Sequence, residues 1–158
     1  VLIKKNCIEN QHLQSYLEQI YVSIDILKKN IPDEICIPVG LCHGDLTLSN
    51  ILIDIKTCRI SLIDFLDSFI ESPLMDLVKI DQDIVHGWTN TLCDKYEAKG
   101  RTKVTYDFIS KELNKYCSKF SWTKHKNIFQ QLNLLRVIQY AKDDKIIKYL
   151  LKELSKYH

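Results

Sequence analysis

The chain has 158 residues, about the length of one globular domain. Hydrophobic residues make up 46% of it and charged residues 27%, with only 4 glycines and 3 prolines, which excludes disordered, collagen-like and linker-like chains. The 22 basic and 20 acidic residues leave a net charge of +2, too small to indicate nucleic acid as a partner.

The cysteines form no CxxC pair and no spaced cluster with histidine, so the sequence predicts neither a zinc site nor a disulfide framework. Scattered thiols on an apolar background favour a reducing, cytoplasmic location. No apolar run is long enough for a membrane span, and the first five residues lack the order of a signal peptide. The six cysteines are Cys7, Cys36, Cys42, Cys58, Cys93 and Cys117.

The first half of the chain predicts one helix and one β-hairpin. Apolar residues from Leu13 to Leu27 recur at helical spacing, and Asn30 with Pro32 ends the helix. Residues 35–42 are predicted to be extended. Residues 51–53 and 60–63 predict two short strands joined by a turn at 54–57.

The second half predicts helices throughout. Ser72-Pro73 is a typical helix start, with a capping hydroxyl followed by proline in the first turn. Further helices are predicted at 105–120, 123–140 and 143–157. The fold class is therefore α+β and mainly α, a helical bundle with a small hairpin that supports polar loops. The helix that starts at Ser72-Pro73 is expected to have one apolar face, formed by Leu77, Ile80, Ile84 and Trp88.

A polar stretch from His43 to Asn50 lies directly before the hairpin, and Asp64 follows its second strand. Because a hairpin brings its two ends together, we expect Asn50 and Asp64 to be close, with Asp45 in reach of the same space. An amide oxygen and a carboxylate suit a hard cation such as Mg²⁺. A separate carboxylate could orient a hydroxyl and accept its proton, the combination that phosphoryl transfer requires.

These residues resemble a known family. His43-Gly44-Asp45 with Asn50 five residues after the aspartate, followed by Asp64-Phe65, is similar to the aminoglycoside phosphotransferase and choline kinase family of protein-kinase-like small-molecule kinases. Gly44 replaces the arginine of the protein-kinase catalytic loop, and Leu66 replaces the glycine of the metal-binding motif. Asp76-Leu77 resembles the family's downstream Asp-Leu pair.

The resemblance implies a role for each of these residues. Asp45 would be the catalytic base, Asn50 and Asp64 would bind Mg²⁺ and the ATP phosphates, and His43 would brace the catalytic loop. Ser49 and the nearby Thr47 could contact the phosphoryl group or make local hydrogen bonds to the backbone instead. The acceptor would be a hydroxyl of a small molecule, such as a sugar, a choline-like alcohol or a polysaccharide precursor.

A kinase of this type also needs an N-terminal lobe with a glycine-rich loop and a strand lysine. With four glycines and no strand pattern around Lys4 and Lys5, residues 1–158 are expected to form the C-terminal lobe alone and to be inactive by themselves. The N-terminal lobe of the same protein is then a required partner. Two alternatives are a non-catalytic kinase-like lobe that binds a ligand or a protein, and a metal-dependent phosphoesterase. The second lacks the additional His and Asp motifs of a dinuclear centre.

Overall fold

A computed structural model describes residues 2–92 and 99–158. The chain divides into two compact units, one formed by residues 2–35 with 127–158 and the other by residues 36–126. The polar stretch at 43–50, the hairpin and the helix after it all lie in the second unit. The two units are described in turn.

The first unit is a helical cluster built from both ends of the chain. It contains α1 (Leu2–Glu9), a 3₁₀ helix (Gln11–Tyr16), α2 (Leu17–Asn30), nearly all of α6 (Lys126–Ile138) and α7 (Asp144–Leu154), followed by a 3₁₀ turn (Ser155–Tyr157). The Asn10 side chain donates to the backbone carbonyls of Gln139 and Ala141, which joins the two chain segments. Its fully buried side chains include Leu13, Ile20, Leu134, Ile138, Leu150 and Leu154.

The second unit places a hairpin ahead of three helices. A 3₁₀ turn (Leu48–Asn50) leads into β1 (Ile51–Asp54) and β2 (Arg59–Leu62), then α3 (Pro73–Ile84), α4 (Trp88–Leu92), α5 (Lys99–Cys117) and a 3₁₀ helix (Ser121–His125). Helix α3 begins as predicted, because the Ser72 hydroxyl accepts from the Leu74 N–H and Pro73 occupies the first turn. Buried apolar side chains of this unit are Leu74, Met75, Val78, Ile84 and Cys117.

The hairpin confirms the strand prediction closely. The two strands pair antiparallel with Ile51 opposite Leu62 and Asp54 opposite Arg59. In the turn, the Asp54 carboxylate accepts from the Thr57 hydroxyl at 2.6 Å and from the Lys56 N–H at 2.9 Å, and these bonds lower the pKa of Asp54. Most of the hairpin is exposed, including its large apolar side chains Leu52, Ile53, Ile55, Ile60 and Leu62.

Several helix predictions need correction. The helix predicted from Leu13 starts as a 3₁₀ helix and becomes α-helical only at Leu17, and α1 was not predicted. Residues 35–42, predicted to be extended, are all described and contain neither helix nor paired strand, which leaves that prediction standing. The helices predicted at 105–120, 123–140 and 143–157 exist with shifted bounds.

Cys93 lies outside the described residues, and the five described cysteines are free thiols.

The apolar face predicted for α3 is wrong. The helix ends at Ile84, a glycine with φ of +67° follows at Gly87, and Trp88 opens the next helix. Leu77 and Ile80 are only half-buried, whereas Asp81 and Asp83 are fully buried. The reason is that part of α3 packs against a polar loop, so polar side chains occupy positions that a pattern of hydrophobicity assigns to solvent. In the part of the chain that the structure describes, no helix is both long and apolar enough to cross a membrane.

Candidate active site

The loop that contains Asp45 is folded on itself before it enters the hairpin. The Thr47 N–H donates to the Asp45 carbonyl at 2.7 Å, and the Asn50 N–H donates to the Thr47 carbonyl at 3.1 Å. The Asn50 side-chain nitrogen Nδ2 also donates to the Asp45 carbonyl at 2.8 Å and lies 3.4 Å from Asp45 Oδ2. These bonds close the five-residue interval into one turn, which holds the aspartate and the asparagine side by side.

The start of this loop lies against the chain that follows β2. The Leu66 N–H donates to the His43 carbonyl at 3.0 Å. Gly44 has φ of +81°, and a Cβ built on it would lie 1.9 Å from the Leu66 carbonyl oxygen. A side chain at position 44 is therefore excluded by both backbone conformation and space. This close approach explains why glycine occupies the position of the arginine in the protein-kinase motif.

His43 is buried between the loop and the chain that follows β2. Its ring stacks on Phe65 with 4.3 Å between the ring centroids. Its Nδ1 accepts from the Asp45 N–H at 3.4 Å, so the other nitrogen, Nε2, is the donor. Nε2 is buried without a hydrogen-bond partner among the residues that the structure describes. The imidazole thus links the two loops and touches the Asp45 backbone rather than its carboxylate.

The Asp76 carboxylate, in the first turn of α3, anchors the start of the loop through two backbone N–H groups. Its Oδ2 accepts from the His43 N–H at 2.8 Å and its Oδ1 accepts from the Gly44 N–H at 3.0 Å. A carboxylate that accepts two backbone N–H groups fixes both the position and the orientation of that peptide segment. The residue that the sequence analysis noted only for its resemblance to the family's Asp-Leu pair therefore anchors the start of the loop on α3.

Two further residues of α3 contact the loop, and sequence reasoning missed both. Lys79 Nζ lies 3.0 Å from Asp45 Oδ1, and the lysine side chain is only 17% exposed. Asp83, fully buried, accepts from the Leu48 N–H at 2.9 Å and from the Thr89 hydroxyl at 2.6 Å. Positions 76, 79 and 83 are spaced by three and four, so they share one face of the helix. That polar spacing was the available signal, and the search for an apolar stripe passed over it.

Asp64 directly follows the residue that pairs with Asn50. The Ile63 N–H donates to the Asn50 carbonyl at 3.1 Å, which extends the hairpin by one pair and places Asp64 one residue farther along. Asp64 is exposed and has φ of +58°, a left-handed conformation uncommon outside glycine. Backbone strain of this kind is frequent at functional sites. The expected proximity of the Asn50 and Asp64 segments is thus present in the backbone.

The oxygen donors of this region suit a magnesium ion. Nδ2 of Asn50 is used on the Asp45 loop, which leaves its Oδ1 without a bond among the described residues, and the Asp64 carboxylate is likewise unbonded there. Mg²⁺ is commonly held by one or two protein oxygens and keeps several waters. The described residues contain no group of three or more His, Cys, Asp or Glu side chains able to hold a metal. The amide oxygen of Asn50 and the carboxylate of Asp64 are therefore the candidate ligands that the described residues offer to such an ion.

The remaining predicted site residue, Ser49, is exposed at the edge of the loop. Its hydroxyl lies 2.8 Å from the Thr47 hydroxyl. This bond joins two side chains, whereas the sequence predicted local hydrogen bonds to the backbone for this pair. A contact of Ser49 with a phosphoryl group stays a prediction.

The comparison with known families decides the identity of the chain. The model of the phosphotransferase enzyme family matches residues 8–108, a stretch that includes the whole loop, the hairpin and α3. The chain belongs to the phosphotransferase enzyme family. No curated protein and no solved structure matches it significantly. The resemblance stated from the sequence is confirmed at the level of the family, and the general activity is that of a kinase-like phosphotransferase.

Proposed function

We propose that residues 1–158 form the catalytic C-terminal lobe of an ATP-dependent kinase that transfers the γ-phosphoryl group to a hydroxyl of a small molecule. The observation that supports this most is the joint placement of Asp45 and Asn50 by one hydrogen bond, beside the hairpin end that leads to Asp64. In a member of the phosphotransferase enzyme family, this placement supports Asp45 as the base and Asn50 and Asp64 as the magnesium ligands.

In this proposal Asp45 orients the acceptor hydroxyl and takes its proton as the new oxygen–phosphorus bond forms. Its carboxylate has lone pairs to spare, because Lys79 and Asn50 together occupy only part of its capacity to accept hydrogen bonds. Asn50 Oδ1 and the Asp64 carboxylate would hold Mg²⁺, which when bound neutralises the phosphate oxygens of ATP. His43, Gly44 and Asp76 keep the loop in place and take no proton.

The proposed lobe needs a second part to complete the nucleotide site. The described residues include no glycine-rich loop, and the hairpin beside Asp64 exposes Leu52, Ile53, Ile60 and Leu62. By the strand register Ile53, Ile60 and Leu62 share one face of the hairpin and Leu52 lies on the other, and exposed apolar side chains grouped on one face are a common mark of an interface. We propose that the N-terminal lobe of the same protein covers it, and that residues 1–158 alone turn over ATP negligibly.

The test uses the full-length protein, ATP and a panel of small alcohols, with ³¹P NMR to detect a new phosphate ester. Asp45→Asn should lower kcat by about 10²–10⁴-fold, the usual contribution of a general base, while Mg²⁺-dependent ATP binding persists. The exposed Asp33→Asn is the matched control and should leave turnover unchanged. Equal turnover of Asp45→Asn and the unsubstituted protein would contradict the assignment.

A second measurement separates the kinase from a non-catalytic binding lobe. Asp64→Asn, which keeps a residue tolerant of positive φ, should weaken Mg²⁺-dependent ATP binding in calorimetry. If the full-length protein binds ATP with the same affinity in EDTA as in Mg²⁺, and no acceptor is phosphorylated, the binding-module alternative is correct.

A further inference from the structure

Helix α5 (Lys99–Cys117) exposes a face that nothing in the described structure covers. The helix packs against α3, and of its described side chains only Cys117 is buried. Val104 and Phe108, in contrast, are 70% and 65% exposed. Large apolar side chains side by side on a surface helix are a common mark of an interaction site.

The two apolar residues share their face with basic ones. Arg101, Val104, Phe108, Lys111 and Lys115 follow one another at intervals of three or four residues and are all exposed, so they form one row along the helix, here named the α5 stripe. The stripe is about 21 Å long at the usual helical rise. It contains no acidic residue.

The three cations of the stripe have no acidic partner among the described residues. Lys5 and Lys148, in contrast, each pair with an acidic residue one turn away, Glu9 and Asp144. Exposed helical lysines without such a pair also occur singly, at Lys29 and Lys152, so what distinguishes the stripe is that its cations lie in one row beside exposed apolar side chains.

The exposed Asp107 and Glu112 lie on the same helix beside the stripe, but five basic against two acidic residues leave α5 with a net charge of +3. The helix therefore has a local positive field although the net charge of the whole chain is only +2.

We propose that the α5 stripe docks on an anionic lipid bilayer, with Val104 and Phe108 entering the headgroup boundary and Arg101, Lys111 and Lys115 contacting the lipid phosphates. Helices that lie in the membrane interface present exposed apolar side chains with long cationic side chains beside them. The charged ends of the cations reach the headgroups while their aliphatic stems lie along the apolar boundary. A nucleic-acid surface fits less well, since the pI of the chain is about 8.2 and the apolar residues would have no partner on a phosphate backbone. The inference does not depend on the roles proposed for the loop.

Sedimentation of the full-length protein with vesicles tests this proposal. The protein should pellet with phosphatidylglycerol–phosphatidylcholine vesicles and stay in solution with phosphatidylcholine alone, and added NaCl should release it. The double variant Lys111→Ser/Lys115→Ser should lower the partition coefficient roughly 30-fold, at about fivefold for each cation. Val104→Ser/Phe108→Ser should also lower it while leaving all charges in place.

The matched control removes two exposed lysines outside the stripe, Lys29→Ser/Lys142→Ser, and should bind as the unsubstituted protein does. Far-UV circular dichroism verifies that each variant is folded. Equal losses in the stripe and control variants would reduce the effect to net charge and overturn the proposal. So would a protein that ignores anionic vesicles, or one that binds soluble poly-glutamate as tightly as vesicles, which would indicate an acidic protein partner instead.

Discussion

Lys79 Nζ lies 3.0 Å from Oδ1 of Asp45, so the proposed base is paired with a cation from α3 that is itself largely buried. The pair fixes one carboxylate oxygen on the helix, while Asn50 lies near the other. The orientation of the base is therefore determined by two elements that are distant in sequence.

Removing this cation should slow the reaction without abolishing it. In the full-length enzyme we expect Lys79→Met to lower kcat by about tenfold, equivalent to about 1.4 kcal/mol, because the carboxylate loses one of its two orienting contacts. Lys79→Arg, which keeps a charged donor, should recover most of the rate. Lys28→Met, at an exposed site, is the control. A kcat unchanged in Lys79→Met would mean that the ion pair has no part in orienting the base.

The Asp76 carboxylate should be important for stability as well as for the loop. Asp76→Ala leaves the N–H groups of His43 and Gly44 without their acceptor, so we expect a loss of about 2–3 kcal/mol in the free energy of unfolding. Urea denaturation measures the change. Asp67→Ala, an exposed loop carboxylate in the same unit, should stay within about 0.5 kcal/mol of the unsubstituted protein.

Three glycines allow conformation and space to be separated. Gly44→Ala combines positive φ with a clash against Leu66 and should cost more than about 2 kcal/mol of stability. Gly87→Ala has positive φ but open space and should cost about 1 kcal/mol. Gly100→Ala, in helix α5 with nothing nearby, should instead stabilise the protein by up to about 1 kcal/mol. If Gly44→Ala lowered the thermal unfolding temperature no more than Gly87→Ala does, the close approach at Gly44 would be contradicted.

The cysteines should react in two groups. Cys36 and Cys58 are exposed, whereas burial raises the pKa of Cys7 to about 11 and also raises the pKa of Cys117. Timed alkylation followed by mass spectrometry should label the exposed pair at least about tenfold faster, since the thiolate is the reactive form. Urea should abolish the difference. Rapid alkylation of Cys7 in the folded protein would contradict its burial.

The same buried thiol gives a dependence of stability on pH. In the unfolded chain Cys7 ionises near its ordinary pKa of 9.0, and in the folded chain only near 11. Between these values the folded state holds more protons, so the contribution of Cys7 to stability is complete below about pH 9 and is lost as the pH rises toward about 11. The midpoint of urea unfolding should fall over this range in the unsubstituted protein and fall less in Cys7→Ala.

Local patterns predicted the hairpin and the start of α3 well. The two strands are short apolar runs on either side of a polar turn. Ser72-Pro73 supplies both a helix cap and a fixed φ, so each signal is contained in a few adjacent residues. Lys79 and Asp83 could not be found in this way. Their partners in the loop lie more than thirty residues earlier in the chain, and their burial comes from contact with that polar loop rather than from apolar periodicity.

The register of α3 has a consequence for how this protein can vary. Asp76, Lys79 and Asp83 reach three successive parts of the loop from one side of the helix, at the His43–Gly44 peptide, the Asp45 carboxylate and the Leu48 N–H. One residue inserted between positions 76 and 83 would rotate everything after it by about 100°. The loop would then lose every α3 contact that comes after the insertion. Insertions and deletions between positions 76 and 83 are therefore expected to disrupt the loop even though they lie more than twenty-five residues from it in the chain.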